Sequence, residues 1–176
     1  MAKTPSTPVA KASKASKASK ASIPSQAVTL AQGSAGRGDL PDVNVWLALL
    51  NPQHPHHASA VGYWEQAAAP RIFLCRITML GLLRLSTHKV VMGGAPYSVA
   101  QAWAALQAVT ALPEIGFQTE PEGIDAAMRQ FTSQPKFRVT DWTDAYIAAL
   151  AQRADLRVVT FDRGFAQFAG LGLLAL

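Results

Sequence analysis

Residues 142–165, WTDAYIAALAQRADLRVVTFDRGF, decide the fold because they read as a helix followed directly by a buried strand. Residues 144–153 have strong helical character, residues 157–160 form a short apolar run, and Asp162-Arg-Gly is typical of a turn. A helix that leads into a short, fully apolar strand is typical of a parallel sheet covered by helices.

The same alternation of strand and helix extends outward from this stretch over most of the chain. Short apolar runs predict further strands at 40–42, 71–75, 115–118 and 171–176. Helical spacing and capping or stop residues predict helices at about 45–50, 57–69, 77–87, 98–109 and 122–134. The sequence therefore predicts an α/β domain with a central, mostly parallel sheet flanked by helices.

Length and composition limit the other possibilities. A chain of 176 residues allows one domain and a modest appendage, and 49% apolar with 15% charged residues is enough to build a core. The single cysteine, Cys75, excludes an internal disulfide and a cysteine-rich zinc site, and it is expected to be a buried small hydrophobe. This cysteine usage favours a cytoplasmic protein.

The positive charge is concentrated in the first part of the chain. The net charge is +5, and residues 1–38 carry six basic side chains and no acid: Lys3, Lys11, Lys14, Lys17, Lys20 and Arg37. The remaining 10 basic and 11 acidic side chains leave residues 39–176 with a net charge of −1. We predict that residues 1–38 are a disordered basic tail rich in Lys, Ala and Ser, and that residues 39–176 are the folded domain. No apolar run reaches the length of a membrane span, so no membrane association is expected.

Three aspartates fall where the predicted sheet would bring them together. Asp42 ends the first strand, Asp144 opens a helix, and Asp162 follows strand 157–160. The carboxyl ends of parallel strands share one edge of a sheet, which is where sites form. Carboxylates about 4 Å apart repel by roughly 1 kcal/mol in water and about 4 kcal/mol at an effective dielectric of 20, so such a cluster indicates a divalent cation, Mg²⁺ or Mn²⁺. Each aspartate also has a structural explanation, as a helix cap or a turn residue.

Four segments together resemble the successive motifs of PIN-domain ribonucleases, most closely the VapC toxins of bacterial type II toxin-antitoxin pairs. The segments are LPDVNVWLAL at 40–49, RITMLGLLRL at 76–85, WTDAYIAALA at 142–151 and VTFDRGF at 159–165. They occur in the family's order, and the resemblance covers residues 39–176.

The resemblance implies a PIN-like fold and a metal-dependent endoribonuclease that cleaves RNA and is held inactive by a cognate antitoxin. By position, Asp42, Asp144 and Asp162 correspond to the family's catalytic, metal-binding acids. The residues that would support this site are Asn44, Thr78, Arg84 and Thr160. A homodimer is expected as well.

One position departs from the family pattern. Many members have Glu directly after the threonine that corresponds to Thr78, whereas this chain has Met79. Asp141, three residues before Asp144, is a candidate extra acid, although a helix cap is its more ordinary role.

Two other functions remain open at this point. A PIN-fold module that binds RNA or protein without cleaving would fit the loss of the acid at Met79. A haloacid-dehalogenase-like phosphatase also uses an aspartate after a strand, but it expects a second aspartate where Asn44 stands. Trp142, beside the predicted site, is a candidate for stacking with a base.

Overall fold

The computed structural model describes residues 37–176, which form a five-stranded sheet with helices packed against it. The strands are β1 Asp39–Pro41, β2 Ile72–Leu74, β3 Ile115–Phe117, β4 Arg157–Thr160 and β5 Gly172–Ala175. The helices are α1 Val43–Leu50, α2 His57–Gln66, α3 Arg76–Ser86, α4 Val99–Thr110, α5 Ile124–Thr132 and α6 Trp142–Ala154, with 3₁₀ turns at Val139–Asp141 and Arg163–Gln167. All strand pairs are parallel, so the predicted α/β class is confirmed.

Strand β1 lies at the centre of the sheet, which has the order β3-β2-β1-β4-β5. The chain first builds outward from β1 to β2 and β3, and then returns to place β4 on the other side of β1. Pro41 of β1 is the register partner of Val159 of β4. The gap between the carboxyl ends of β1 and β4 is therefore a topological switch point, where sites in open α/β sheets usually form.

Consecutive residues of β4 enter different parts of the core. Val158 packs in a cluster with residues of α5 and α6, whereas Val159 packs with Val45 and Tyr63. Because side chains alternate across a strand, helices cover both faces of the sheet.

Helix α6 positions the predicted site through its small side chains. Ala145, Ala148, Ala149 and Ala151 are fully buried, so the helix axis can lie close to the sheet. The prediction of a helix over 144–153 is confirmed and the helix is longer, which fixes Asp144 in its first turn.

Helix α2 is shorter than its sequence pattern suggests. The pattern predicts a helix to residue 69, but it ends at Gln66. The buried carboxylate of Asp39 accepts a hydrogen bond from the Ala69 N–H at 2.9 Å, and Arg157 Nη2 donates to the Ala67 carbonyl at 2.9 Å. These side chains from β1 and β4 bind the backbone that would have continued the helix.

The predicted basic tail, residues 1–38, lies outside the described residues except for Arg37 and Gly38, so its boundary stays a prediction. In the described part of the chain, no helix has both the length and the hydropathy needed to cross a bilayer.

Candidate active site

Asp42 is a nearly buried carboxylate at the carboxyl end of β1. It is the N-cap of α1, as its capping interpretation predicted, because Oδ1 accepts a hydrogen bond from the Val43 N–H at 2.6 Å. Oδ2 accepts from Asn44 Nδ2 at 2.7 Å and from Thr160 Oγ1 at 3.1 Å. Among residues 37–176, no lysine or arginine forms an ion pair with it. Its charge is therefore hydrogen-bonded but not neutralised.

Asn44 and Thr160 connect the ends of β1 and β4. Asn44 Nδ2 donates to Thr160 Oγ1 at 3.0 Å as well as to Asp42. The same threonine oxygen accepts from the Asp162 N–H at 3.0 Å. Two of the predicted supporting residues, Asn44 and Thr160, are thus in direct contact with Asp42, and Thr160 also binds the backbone of Asp162.

Asp162 and Asp144, the other two predicted acids, differ in their burial and in their hydrogen bonds. Asp162 is exposed and caps a 3₁₀ turn, since its Oδ1 accepts from the Gly164 N–H at 2.7 Å. Asp144 is half-buried in the first turn of α6, and no hydrogen bond within residues 37–176 involves its carboxylate. The predicted turn role of Asp162 is present, and it leaves the second carboxylate oxygen available.

The three carboxylates influence one another electrostatically. Burial, and then the charges of Asp42 and Asp162, raise the pKa of Asp144 to about 6 from its ordinary value of 3.8. Burial is also the main cause that raises the pKa of Asp42, with a further contribution from Asp162. Proximity of like charges is what an acidic cation site imposes on its ligands when no cation is present.

The fit of a divalent cation rests on this donor set. Three carboxylates with an amide and a hydroxyl nearby are hard oxygen donors, which suit Mg²⁺ or Mn²⁺. Within the described residues, however, no three acidic, histidine or cysteine side chains already surround a common point at ligand distance. Mg²⁺ usually takes only one or two protein carboxylates directly and keeps several waters, so a looser arrangement is compatible with it.

A cavity of about 220 Å³ opens from Asp42 along α3 and the start of α6. Its lining includes Thr78, Gly81, Arg84 and Thr143. Arg84 is exposed, and its guanidinium forms no ion pair within the described residues. The lining of the cavity therefore includes one of the three acids, Asp42, and the basic side chain of Arg84, whereas Asp144 and Asp162 do not line it.

Thr78 and Met79 have different surroundings although they are neighbours on α3. Thr78 is fully buried, and its Oγ1 accepts from the Cys75 N–H at 3.0 Å and donates to the Cys75 carbonyl at 3.1 Å. It therefore organises the start of α3 and does not contact the acids directly. Met79 is half-buried against the core of α1, α3 and α4, and it does not line the cavity. Cys75 is buried, as expected.

Asp141 is already engaged by other groups. Arg138 donates to it through Nε at 3.1 Å, Thr140 Oγ1 lies at 2.9 Å and Gln167 Nε2 at 3.3 Å. The hydrogen bond from Arg138 is the main cause that lowers the pKa of Asp141 to about 2. Asp141 is the N-cap residue of α6, as expected, but its side chain makes no capping hydrogen bond to that helix and instead closes the 3₁₀ turn before it. Asp141 still acts on Asp144 through its charge.

Trp142 and Thr143 directly precede Asp144, and only Trp142 was singled out in the sequence analysis. Trp142 is 53% exposed and packs edge-on against Phe137, so its role in base stacking stays a prediction. Thr143 lines the cavity and was not among the predicted residues; its place directly before Asp144 in the first turn of a helix is the signal that would have indicated it.

Comparison with known proteins gives one family. The model of the PIN domain matches residues 40–171. Ribonuclease VapC41 of Mycobacterium tuberculosis is 35% identical over 137 residues, which are 75% of this chain and 94% of that protein. Ribonuclease VapC39 of the same organism is 36% identical over 136 residues, covering 76% and 94%. In the structure of VapBC2 from Rickettsia felis bound to a promoter DNA fragment, a chain aligns with a TM-score of 0.56 at 15% identity, covering 78% of this chain and 98% of that one.

The fold likeness to the Rickettsia protein agrees with the parallel sheet and its switch point, and the two mycobacterial relatives extend the likeness to sequence over nearly their whole length. The chain therefore belongs to the PIN-domain family and, within it, to the VapC ribonucleases.

Proposed function

We propose that this ribonuclease is the toxin of a toxin-antitoxin pair and that it cleaves RNA internally with a divalent cation, Mg²⁺ or Mn²⁺. The observation that carries the proposal is the group Asp42, Asp144 and Asp162 at the switch point, where burial and then the charges of the other two acids raise the pKa of Asp144. A structural group of acids would be paired with basic residues, as Asp141 is with Arg138. A group of acids without basic partners among the described residues, one of which lines a cavity, is typical of a site that receives a cation.

Each residue has a proposed role. Asp42, Asp144 and Asp162 would hold the cation; Asn44 and Thr160 would keep Asp42 in one orientation through the hydrogen bonds described above. When bound, the metal would supply an activated water and neutralise the charge that develops on the phosphate. Arg84, which lines the same cavity as Asp42, would bind a phosphate of the RNA.

The raised pKa of Asp144 bears on how such a site would work. Near neutral pH, Asp144 is close enough to its pKa to exist partly protonated without the metal, and a cation would favour its ionised form. Metal binding would then release a fraction of a proton, so metal affinity should increase as pH rises from 5 to 7.

The rival interpretations receive less support. A PIN module without cleavage was suggested by Met79, but the relatives at 35–36% identity are named ribonucleases. A dehalogenase-like phosphatase would need an acid at Asn44, and the amide there donates hydrogen bonds to Asp42 and Thr160 instead.

The partners follow from the proposed function. RNA would be the substrate, and a cognate antitoxin would bind the protein and keep it inactive, as membership in the VapC ribonucleases supports. The homodimer and the cytoplasmic location remain predictions.

The test is cleavage of RNA by the purified protein in EDTA, Mg²⁺ or Mn²⁺, with the new RNA ends mapped by sequencing. We expect defined cleavage sites with metal, none in EDTA, and loss of cleavage in the Asp144→Asn variant. Co-expression with the protein encoded next to it should suppress the same sites in cells. Intact RNA under every metal condition would contradict the proposal, and equal cleavage in EDTA would contradict its metal-dependent part.

A further inference from the structure

An aromatic stack lies directly beside the acidic group. The ring of His56 stacks on that of Phe161, with 4.4 Å between ring centroids and an interplanar angle of 18°. Phe161 is the residue between Thr160 and Asp162, both of which belong to the site. The Cα atom of Phe161 is therefore about 3.8 Å from that of Asp162, a proposed cation ligand, along the chain itself.

Phe161 is held firmly in this position. Its N–H donates to Asn44 Oδ1 at 3.4 Å, and its ring packs against the cluster of Val45, Tyr63 and Val159. Asn44 thus binds both the backbone of Phe161 and the carboxylate of Asp42.

The loop that carries His56 is also anchored. Nδ1 of His57 lies 2.7 Å from the Ala48 carbonyl of α1, and the His56 N–H donates to His54 Nδ1 at 3.2 Å. Pro52 and Pro55 further restrict this backbone. A preorganised loop loses little conformational entropy when a ligand binds to it.

The imidazole of His56 is available to a ligand. The side chain is exposed, and its ring nitrogens make no hydrogen bond within the described residues. His54 lies beside it with 5.7 Å between ring centroids and an angle of 45°, which widens the aromatic surface. Burial and the neighbouring histidines lower the pKa of His54, so that ring is neutral at neutral pH.

We propose that the His56–Phe161 stack binds one unpaired base of the RNA next to the phosphate that is cleaved. Unpaired bases are recognised by stacking on aromatic or imidazole rings and by hydrogen bonds to their edges, and His56 offers both. The inference rests on the proposed ribonuclease function and adds a base-binding position to it. His56 is a binding residue here and takes no part in the chemical step.

The test measures binding separately from cleavage. A fluorescent, short, unstructured oligoribonucleotide of mixed sequence is titrated in EDTA with the wild type and with His56→Ala, and binding is followed by anisotropy. Loss of one stacked base weakens binding by about 5-fold to 100-fold. His56→Phe keeps an aromatic ring and should stay within about 3-fold of the wild type, because stacking carries most of the effect. His88→Ala removes an exposed histidine beyond the other end of α3 and should change nothing.

A purely structural role for the stack predicts a different result. If His56 only anchors its loop to Phe161, His56→Ala should lower the melting temperature and leave the dissociation constant for RNA unchanged. That outcome would overturn the proposal.

Abasic substitution locates the base. Oligoribonucleotides that lack one base at each position in turn should show a single position where the wild type loses affinity and where His56→Ala has no additional effect. An effect of His56→Ala that persists at every abasic position would overturn the proposal. A wild type that binds RNA in this His56-dependent way but never cleaves it would refute the proposed function and retain the stack. Cleavage by a protein whose RNA binding does not depend on His56 in either assay would retain the proposed function and refute base binding by the stack.

Discussion

Replacing Asp144 by Asn should stabilise the protein when no divalent cation is present. The folded protein raises the pKa of Asp144 to about 6, whereas an unfolded chain would have the ordinary value of 3.8. The folded state therefore binds the proton more tightly than the unfolded chain does. Below about pH 4 the carboxyl is protonated in both states and does not change the free energy of unfolding. As pH rises from about 4 to 6, the free energy of unfolding falls. Well above pH 6 this loss of stability no longer changes with pH. The Asn variant keeps the shape of the side chain and lacks this loss.

The magnitude follows from the two pKa values. At about 1.4 kcal/mol per tenfold change in affinity for the proton, the difference amounts to roughly 3 kcal/mol as an upper limit. Asp144 is only half-buried, and screening by water and salt reduces this to about 1 to 2 kcal/mol. We therefore expect Asp144→Asn to be about 1 to 2 kcal/mol more stable than the wild type at pH 7.5 and equal to it near pH 3.5.

The assay is urea unfolding in EDTA across this pH range, repeated with Mn²⁺ at pH 7.5. Mn²⁺ at about 100 times its dissociation constant should stabilise the wild type by roughly 2.7 kcal/mol and the variant much less, which reverses their order. Asp125→Asn is the matched control, because Asp125 is an exposed acid in the first turn of α5. Its effect should be small and independent of Mn²⁺. A variant of Asp144 that is less stable than the wild type at pH 7.5 in EDTA would refute the reasoning and indicate a capping role.

Four further predictions concern other parts of the molecule. Thr160→Val should lower cleavage by about 10-fold to 100-fold in a kinetic assay, because the hydroxyl that supports the acids is lost, and Thr160→Ser should restore most of it. Met79→Glu should lower the free energy of unfolding by about 1 to 2 kcal/mol and leave Mn²⁺ affinity unchanged in a titration, because this side chain faces the core. Tighter Mn²⁺ binding would show that it reaches the acids. Removal of residues 1–38 should keep the melting temperature and the cleavage pattern, with a shallower salt dependence of RNA binding; a large loss of stability would mean that the domain boundary is wrong. Asp39→Asn should destabilise by up to about 3 kcal/mol in urea unfolding, because Arg157 loses its charged partner, and an unchanged midpoint would contradict that pairing.

The general layout of the site could be predicted from sequence because it depends on short, local patterns. Apolar runs locate strands such as 157–160, and chain direction in a parallel sheet then places the residue after each strand at one edge. Asp42 and Asp162 needed no further information to be assigned to that edge. The resemblance to PIN domains led us to expect Asn44 and Thr160 beside the acids, and both side chains donate hydrogen bonds to Asp42.

What sequence could not give are contacts between side chains far apart in the chain. Asp141 was considered for the site, yet Gln167, 26 residues away, and Arg138 occupy its carboxylate. The end of α2 depends on Arg157, which is 90 residues from the carbonyl that it binds. Met79 packs against the core, whereas the residues directly before and after it on α3 line the cavity, so a change of one helical position separates the two surroundings. The contacts of Gln167 and Arg157 have no local signal, whereas the Arg138–Asp141 pair and the position of Met79 on α3 are local.

The two ends of β1 compensate a buried aspartate charge in different ways. Asp39 and Asp42 are three residues apart, and both are almost fully buried. Asp39 is neutralised by Arg157, whose Nε and Nη2 lie 2.7 and 2.9 Å from its two oxygens, and it accepts a further hydrogen bond from Tyr63. Asp42 accepts hydrogen bonds only from neutral donors, and burial, with a further contribution from the charge of Asp162, raises its pKa. The same strand thus pairs one buried charge and leaves the other without a basic partner among the described residues, and a buried carboxylate needs hydrogen bonds or an opposite charge to compensate for its desolvation. At Asp39 the opposite charge is supplied by Arg157, whereas at Asp42, under the proposed function, a cation from solution would supply it.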